Sequence, residues 1–170
     1  RDSGNAYPIH QGGFSNNFRY KNFDLNVFMQ WSYGNDVVNA NRLWFEAGNK
    51  TNLNQFATFE NRWTPDNQTN DMFRVGGMGP YAYSSRVVED ASYLRLKTVS
   101  FGYNFDPKVL SKLKIRSLRV YATAQNLYTF TNYSGYDPEV AVYYSALTPG
   151  FDYSSYPRPK TFVFGVNVGL

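Results

Sequence analysis

Apolar residues recur at every second position in about five stretches of the chain, the signature of strands with one apolar face. In the last stretch Phe162, Phe164, Val166, Val168 and Leu170 alternate with Thr161, Val163, Gly165, Asn167 and Gly169. The clearest interior stripe is Phe23, Leu25, Val27, Met29, Trp31 and Tyr33, opposite Asp24, Asn26, Phe28, Gln30 and Ser32. Phe14, Phe18 and Tyr20 precede it on one face, and Lys21-Asn22 reads as the tight turn of a hairpin. Between 92 and 105 the phase changes: Leu94 and Leu96 take one, Val99, Phe101, Tyr103 and Phe105 the other. The switch near Lys97–Thr98 predicts a bulge, or a strand whose upper part leaves an apolar zone. Leu118, Val120, Ala122 and Ala124 then alternate with Arg119, Tyr121, Thr123 and Gln125. The predicted strands are 13–20, 23–34, 92–105, 117–127 and 161–170.

What joins them is uneven. The segments 35–91 and 128–160 are long and rich in Asn, Gly and aromatics, with a short helix predicted over 41–47. The connections at 21–22 and 106–116 are short, and 1–11 reads as loop. Short turns at one end and long loops at the other are the pattern of an outer-membrane β-barrel, with periplasmic turns and extracellular loops. On that parity the last strand ends in the periplasm. About five strands cannot close a barrel, and open edges are not tolerated in lipid. The expected architecture is therefore all-β: the carboxyl-terminal segment of a larger antiparallel transmembrane barrel, unable to stand alone.

Composition agrees with this reading. Aromatics make up 19% of the chain, with 15 Tyr and 14 Phe, yet mean hydropathy is −0.51. No apolar run approaches the roughly 18–20 residues of a membrane helix, whereas a barrel strand needs only alternate residues to face lipid. Cysteine is absent and His10 is the only histidine, which removes disulfides, thiolate metal sites and multi-histidine sites. His10 itself is expected to be solvated in the amino-terminal loop. The net charge of +4 is mild, and its one concentration, Lys108, Lys112, Lys114 and Arg116, reads as a solvated turn rather than a nucleic-acid site.

Catalytic chemistry finds no footing. Asp137-Pro138-Glu139 reads as a turn and Glu89-Asp90 as a loop-to-strand junction. With His10 alone no Ser–His–Asp set is credible, and Gly76-Gly77-Met78-Gly79-Pro80 lacks the Lys and Ser/Thr of a phosphate loop. The loop aromatics Trp44, Trp63, Tyr81, Tyr83, Tyr143 and Tyr144 are the candidate ligand or partner contacts. Aromatic faces beside Asn and Gln suit carbohydrate, and the plainer reading is that they pack the loops or sit at the membrane interface. No cofactor or metal is expected.

Several stretches resemble one family in order and spacing. They are Y-K-N-F-D-L at 20–25, R-W-T-P-D-N at 62–67, E-D-A-S-Y-L-R-L-K at 89–97 and F-G-Y-N-F at 101–105. Q-N-L-Y-T-F-T-N-Y-S-G-Y-D-P-E-V at 125–140, D-Y-S-S-Y-P-R-P-K-T-F at 152–162 and G-V-N-V at 165–168 complete the set. The sequence is similar to the carboxyl-terminal end of SusC/RagA-type TonB-linked outer-membrane proteins of Bacteroidetes-like bacteria. That resemblance implies a plugged barrel of roughly 22 strands, of which this chain supplies about the last five. It further implies import of oligosaccharides or peptides, a SusD-like surface lipoprotein partner, and coupling to the TonB complex through a more amino-terminal part. Family members usually end on an aromatic, commonly Phe, as part of an assembly signal. Here Phe162, Phe164, Val166, Val168 and Leu170 take that role, with Leu170 in place of the aromatic. The rival is a secreted, soluble β-sandwich that binds carbohydrate through aromatic loops. Such a sandwich would show charged outer faces where this chain has Asn, Gln, Ser, Thr and Gly.

Overall fold

The structure is a computed structural model describing residues 4–48, 52–75, 83–139 and 149–170. It comprises two compact units: a wall unit of Ile9–Tyr33, Ser92–Asn132 and Arg158–Leu170, and a loop unit built from the described parts of the remaining chain. No described helix is long and apolar enough to cross a membrane.

The wall unit is one five-stranded antiparallel sheet. Its strands are β1 (His10–Tyr20), β2 (Phe23–Tyr33), β5 (Tyr93–Asn104), β6 (Ser117–Thr131) and β8 (Thr161–Gly169), in the order β1-β2-β5-β6-β8. Register turns the sequence stripes into rows that cross the sheet. One row runs Phe18, Leu25, Phe101, Ala122, Phe164; the next runs Tyr20, Phe23, Tyr103, Val120, Val166. These rows form a continuous apolar face that water reaches freely: Phe162 is 60% exposed, Phe164 79% and Val166 60%. The opposite face carries rows such as Asn17, Asn26, Ser100, Thr123, Val163. There Thr123 donates to Ser100 at 2.9 Å, and Asn26 to Ser15 at 3.1 Å. A sheet with one polar, hydrogen-bonded face and one bare apolar face has the two surfaces of a lumen and a lipid contact.

The phase switch in β5 is a bulge. Met29 pairs with Leu96 and Phe28 with Thr98, so Lys97 is the extra residue; on the other side Leu96 pairs with Tyr128 and Thr98 with Gln125. The extra residue flips the phase and keeps Leu94 and Leu96 on the same face as Val99 and Phe101. In β6 the compensation falls at Asn126, with φ 52°, a conformation Asn tolerates better than most residues. Beyond it Tyr128 and Phe130 rejoin the apolar face and pack edge-on with centroids 4.6 Å apart, so β6 runs to Thr131, past the expected 127.

β1 likewise starts earlier than expected, at His10 rather than 13. His10 is thus a strand residue rather than a loop residue, and it is exposed as expected. Its Nδ1 accepts a hydrogen bond from Trp31 Nε1 at 3.1 Å, and its ring stacks on Tyr33 at 5.1 Å. The alternation rule missed it because Gly12 and Gly13 carry no side chain to mark a phase.

At the other end of the sheet Lys21 closes the β1–β2 turn with φ 51°. The β5–β6 connector is a one-turn helix, α2 (Pro107–Leu110), followed by a 3₁₀ turn over Ser111–Leu113. Proline opens α2 and the Asp106 carboxylate accepts from Lys108 N at 2.8 Å, so Asp106-Pro107 both stops β5 and caps the helix.

The loop unit has regular structure that period-two reading could not find. β3 (Asp36–Asn39) pairs antiparallel with β4 (Val88–Asp90) and parallel with β7 (Phe151–Asp152). Helix α1 (Asn41–Phe45) falls inside the predicted 41–47. Val37, Ala91 and Tyr133 form one small core; Ala40, Leu43 and Val87 form another, with Val38, Trp44, Phe151 and Tyr153 packed on it.

Candidate functional site in the loop unit

A buried charge network sews the two long loops together. Glu46 closes α1 with its side chain 2% exposed and receives three donors: Arg42 Nε at 3.1 Å, Thr58 Oγ1 at 3.1 Å and the Arg86 guanidinium. Arg42 and Glu46 are one helical turn apart, the spacing at which side chains on a helix meet. Arg42 also reaches Glu89 at 3.1 Å and the Arg86 carbonyl at 3.2 Å. Glu89 in turn accepts from the Ser134 backbone N–H at 2.9 Å and hydroxyl at 2.8 Å. The Tyr133 hydroxyl donates to Asp152 at 2.7 Å in the interior. Residues 39–46, 58, 86–89, 133–134 and 152 are thereby tied together.

The electrostatics follow from these contacts. Burial opposes the charge on Glu89, but the Ser134 and Arg42 donors outweigh it and hold its carboxyl below the usual range. Burial works against the Arg42 cation too, and Glu46 and Glu89 overcome it, raising the guanidinium above its ordinary value. Burial, then the Asp152 carboxylate, keeps Tyr133 a phenol well past the normal tyrosine range. Because the folded Glu89 carboxyl binds its proton at lower pH than the unfolded one, its stabilisation is fully present above the ordinary glutamate value of 4.5 and fades as pH falls through the folded value. Lowering pH from neutral to well below 4.5 should therefore open the loop unit to protease, and Glu89→Gln should flatten that dependence. Limited proteolysis of the full-length protein across this range reads it directly.

Beside the network lies a pocket of about 460 Å³ lined by Trp63, Thr69, Asn70, Asp71, Met72, Phe73, Arg74 and Arg86. An aromatic face, amide and carboxylate groups and guanidinium donors converge there, a set able to hold a polar ligand with one apolar face. Arg86 bridges pocket and network, since its guanidinium lies 4.8 Å from the Phe73 ring centroid while also holding Glu46.

The sequence candidates separate. Trp63 lines the pocket and is 38% exposed. Trp44 is half-buried against Tyr153 at 5.9 Å and packs on the Ala40–Leu43–Val87 core, so its ring serves the fold. Tyr83 is 66% exposed and leans on Phe151 at 6.2 Å. Tyr81, Tyr143 and Tyr144 lie outside the described residues. Asp137 accepts from Glu139 N at 2.9 Å, the local hydrogen bond of a turn. Glu89 lies in the middle of β4 rather than at a loop-to-strand junction, and its carboxylate belongs to the network, which sequence reading missed. The available signal was Arg42 and Glu46 four apart in a predicted helix. No group of His, Cys, Asp or Glu able to hold a metal occurs among the described residues.

On the polar face of the wall, Arg119 forms a forked pair with Asp24 at 2.6 and 3.2 Å, and Asn104 donates to the same carboxylate at 2.8 Å. The pair passes over Gly102: a Cβ there would stand 2.5 Å from the Arg119 guanidinium and 2.6 Å from Asp24. Gly102 is the residue that lets this bridge cross the intervening strand. Phe162, Phe164, Val166 and Val168 lie on the apolar face of β8, and Leu170, one residue past the strand, is 92% exposed.

No protein-family model matches the sequence. Individual relatives do. TonB-dependent receptor P3 of Formosa agariphila is 39% identical over 170 residues, covering 97% of this chain and 17% of the receptor. TonB-dependent receptor SusC of Bacteroides thetaiotaomicron is 31% identical over 159 residues, covering 92% of the chain and 14% of SusC. Among solved structures, the RagAB peptide importer in its closed-closed state superposes with a TM-score of 0.84 at 29% identity, over 99% of this chain and 18% of that one. Its open-open state gives 0.81. The chain thus spans about a sixth of the length of the relatives it matches, and those relatives are receptors and transporters, not enzymes. The bare apolar face, the polar opposite face and these likenesses agree: the chain belongs to the SusC/RagA-type TonB-dependent receptors and forms an antiparallel segment of their outer-membrane β-barrel.

Proposed function

We propose that this chain supplies the carboxyl-terminal wall and two extracellular loops of a TonB-dependent outer-membrane importer for oligosaccharides or peptides. The observation that carries the reading is the uncovered apolar face of the five-stranded sheet, with Phe164 79% exposed. Water would penalise such a surface at about 25 cal/mol per Å² of apolar area, whereas lipid removes the penalty. A soluble sandwich needs that face packed, so the exposure speaks against the rival. In this reading, which strand parity supports, the 21–22 and 106–116 turns lie in the periplasm and both long loops outside. There the pocket around Trp63 is the part of this chain suited to touch cargo, and a SusD-like lipoprotein is the partner expected over the mouth. Coupling to the TonB complex would lie elsewhere in the receptor.

The test is transport by the full-length receptor in cells. Trp63→Ala should lower uptake of the cognate oligosaccharide or peptide severalfold, in keeping with loss of roughly 1 kcal/mol of stacking, with unchanged receptor levels in the outer-membrane fraction. Recovery of the full-length protein from cells without detergent would overturn the membrane reading. Unchanged uptake by Trp63→Ala would remove the pocket from the cargo path.

A further inference from the structure

The geometry points to a site for an anionic glycerophospholipid on the outer face of the wall, with the headgroup on the β5–β6 connector and an acyl chain in a trough across β5, β6 and β8. The inference rests on the membrane reading above and adds a ligand to it. The trough holds about 370 Å³ and is walled by Phe101, Tyr103, Val120, Ala122, Phe164 and Val166. It exists because of one small side chain. In the row Leu25, Phe101, Ala122, Phe164 a methyl group stands between two phenyl rings, and Ala124 repeats the gap between Val99 and Phe162. The result is an open apolar furrow in a face that is otherwise evenly filled.

The furrow runs toward a cluster of cations. β5 ends one residue past Tyr103, and the connector 106–116 that follows carries Lys108, Lys112, Lys114 and Arg116 against one acid, Asp106. All four basic residues are exposed and none forms an ion pair among the described residues. Asp106 is engaged in capping α2. Lys21, in the other turn on this end of the sheet, adds to the same rim. An apolar furrow opening beneath unneutralised cations fits a molecule with a hydrocarbon tail and a negative head. A nucleic acid or an acidic protein would use the cations and leave the furrow empty; a zwitterionic lipid would do the reverse. Basic residues at a membrane surface draw anionic lipid through the local field.

The experiment uses full-length receptor purified in mild detergent, exposed to equal amounts of dioleoyl-phosphatidylglycerol and dioleoyl-phosphatidylethanolamine and read by native mass spectrometry. Wild type should retain phosphatidylglycerol over phosphatidylethanolamine by about tenfold. Replacing Lys108, Lys112 and Lys114 together with Gln should abolish that preference while leaving the folded protein intact. Ala122→Leu, which fills the furrow from a position far from the charges, should also lower phosphatidylglycerol retention severalfold. Equal retention of the two lipids by wild type, or wild-type retention in either variant, overturns the site. Receptor that stays soluble and folded with no detergent or lipid at all would instead overturn the membrane reading beneath it.

Discussion

Glu46→Ala should cost the loop unit about 3 kcal/mol of local stability, at the low end of the roughly 3–5 kcal/mol seen when one member of a buried ion pair is removed. The low end applies because the two arginines it holds, Arg42 and Arg86, each keep 24% of their side-chain surface in water, so the cations left behind are partly solvated. The Glu46 carboxylate itself is 2% exposed and receives donors from two arginines and Thr58, and its loss removes the contacts to Thr58 and the Arg86 guanidinium, leaving only Arg42 on the Arg86 carbonyl. Glu46→Gln keeps the shape and part of the hydrogen bonding and should cost less. Glu60→Ala, at an exposed position, should stay within about 0.5 kcal/mol. Amide hydrogen exchange in 39–47 and 86–91 of the full-length protein reports the local value without requiring the barrel to unfold. Equal protection in Glu46→Ala and wild type would show that the network is incidental to loop order.

Phe164→Arg should destabilise the inserted barrel by about 2–4 kcal/mol, the cost of an arginine on the lipid face near the bilayer middle. Phe164 occupies the central part of the β8 stripe, between Phe162 and Val166, and is 79% exposed on the face assigned to lipid. Its neighbour supplies the control. Val163 sits one residue away on the opposite face, in the row of Asn17, Asn26, Ser100 and Thr123. Val163→Arg enters a polar, watered surface and should change stability by less than about 1 kcal/mol. Urea unfolding of the full-length receptor in lipid vesicles, followed by the gel shift of heat-modifiable barrels, distinguishes the two. A similar penalty for both substitutions would mean that the faces do not differ in solvent.

Strand alternation made the wall legible because its cause is local: a strand facing two solvents must alternate, whatever its partners. The phase break at Lys97 marked where the bulge falls but left open a strand whose upper part leaves the apolar zone; the pairing of Met29 with Leu96 and Phe28 with Thr98 decides for the bulge. The loop unit was not legible for the converse reason. β3 and β7 are four and two residues long and pair in parallel across more than a hundred residues of sequence, so neither carries a repeat long enough to read. The charge network shares this property: Arg42 and Glu46 are local, but Glu89 and Ser134 reach them only through the fold. Trp44 and Trp63 looked alike as loop aromatics; what separates them is that one ring lies against Tyr153 and the other borders an open pocket. Residue type gave the candidates, and only burial ranked them.

The central claim is that the wall has lipid on one face and water on the other. Spin labels placed singly at each position from 161 to 169 of the full-length receptor in vesicles test it most directly, by comparing collision with dissolved oxygen and with a water-soluble nickel chelate. The expected profile has a period of two: oxygen-rich and chelate-poor at 162, 164, 166 and 168, the reverse at 163, 165 and 167. A profile without that alternation, or chelate access at Phe162 and Phe164 equal to that at Val163, would contradict it.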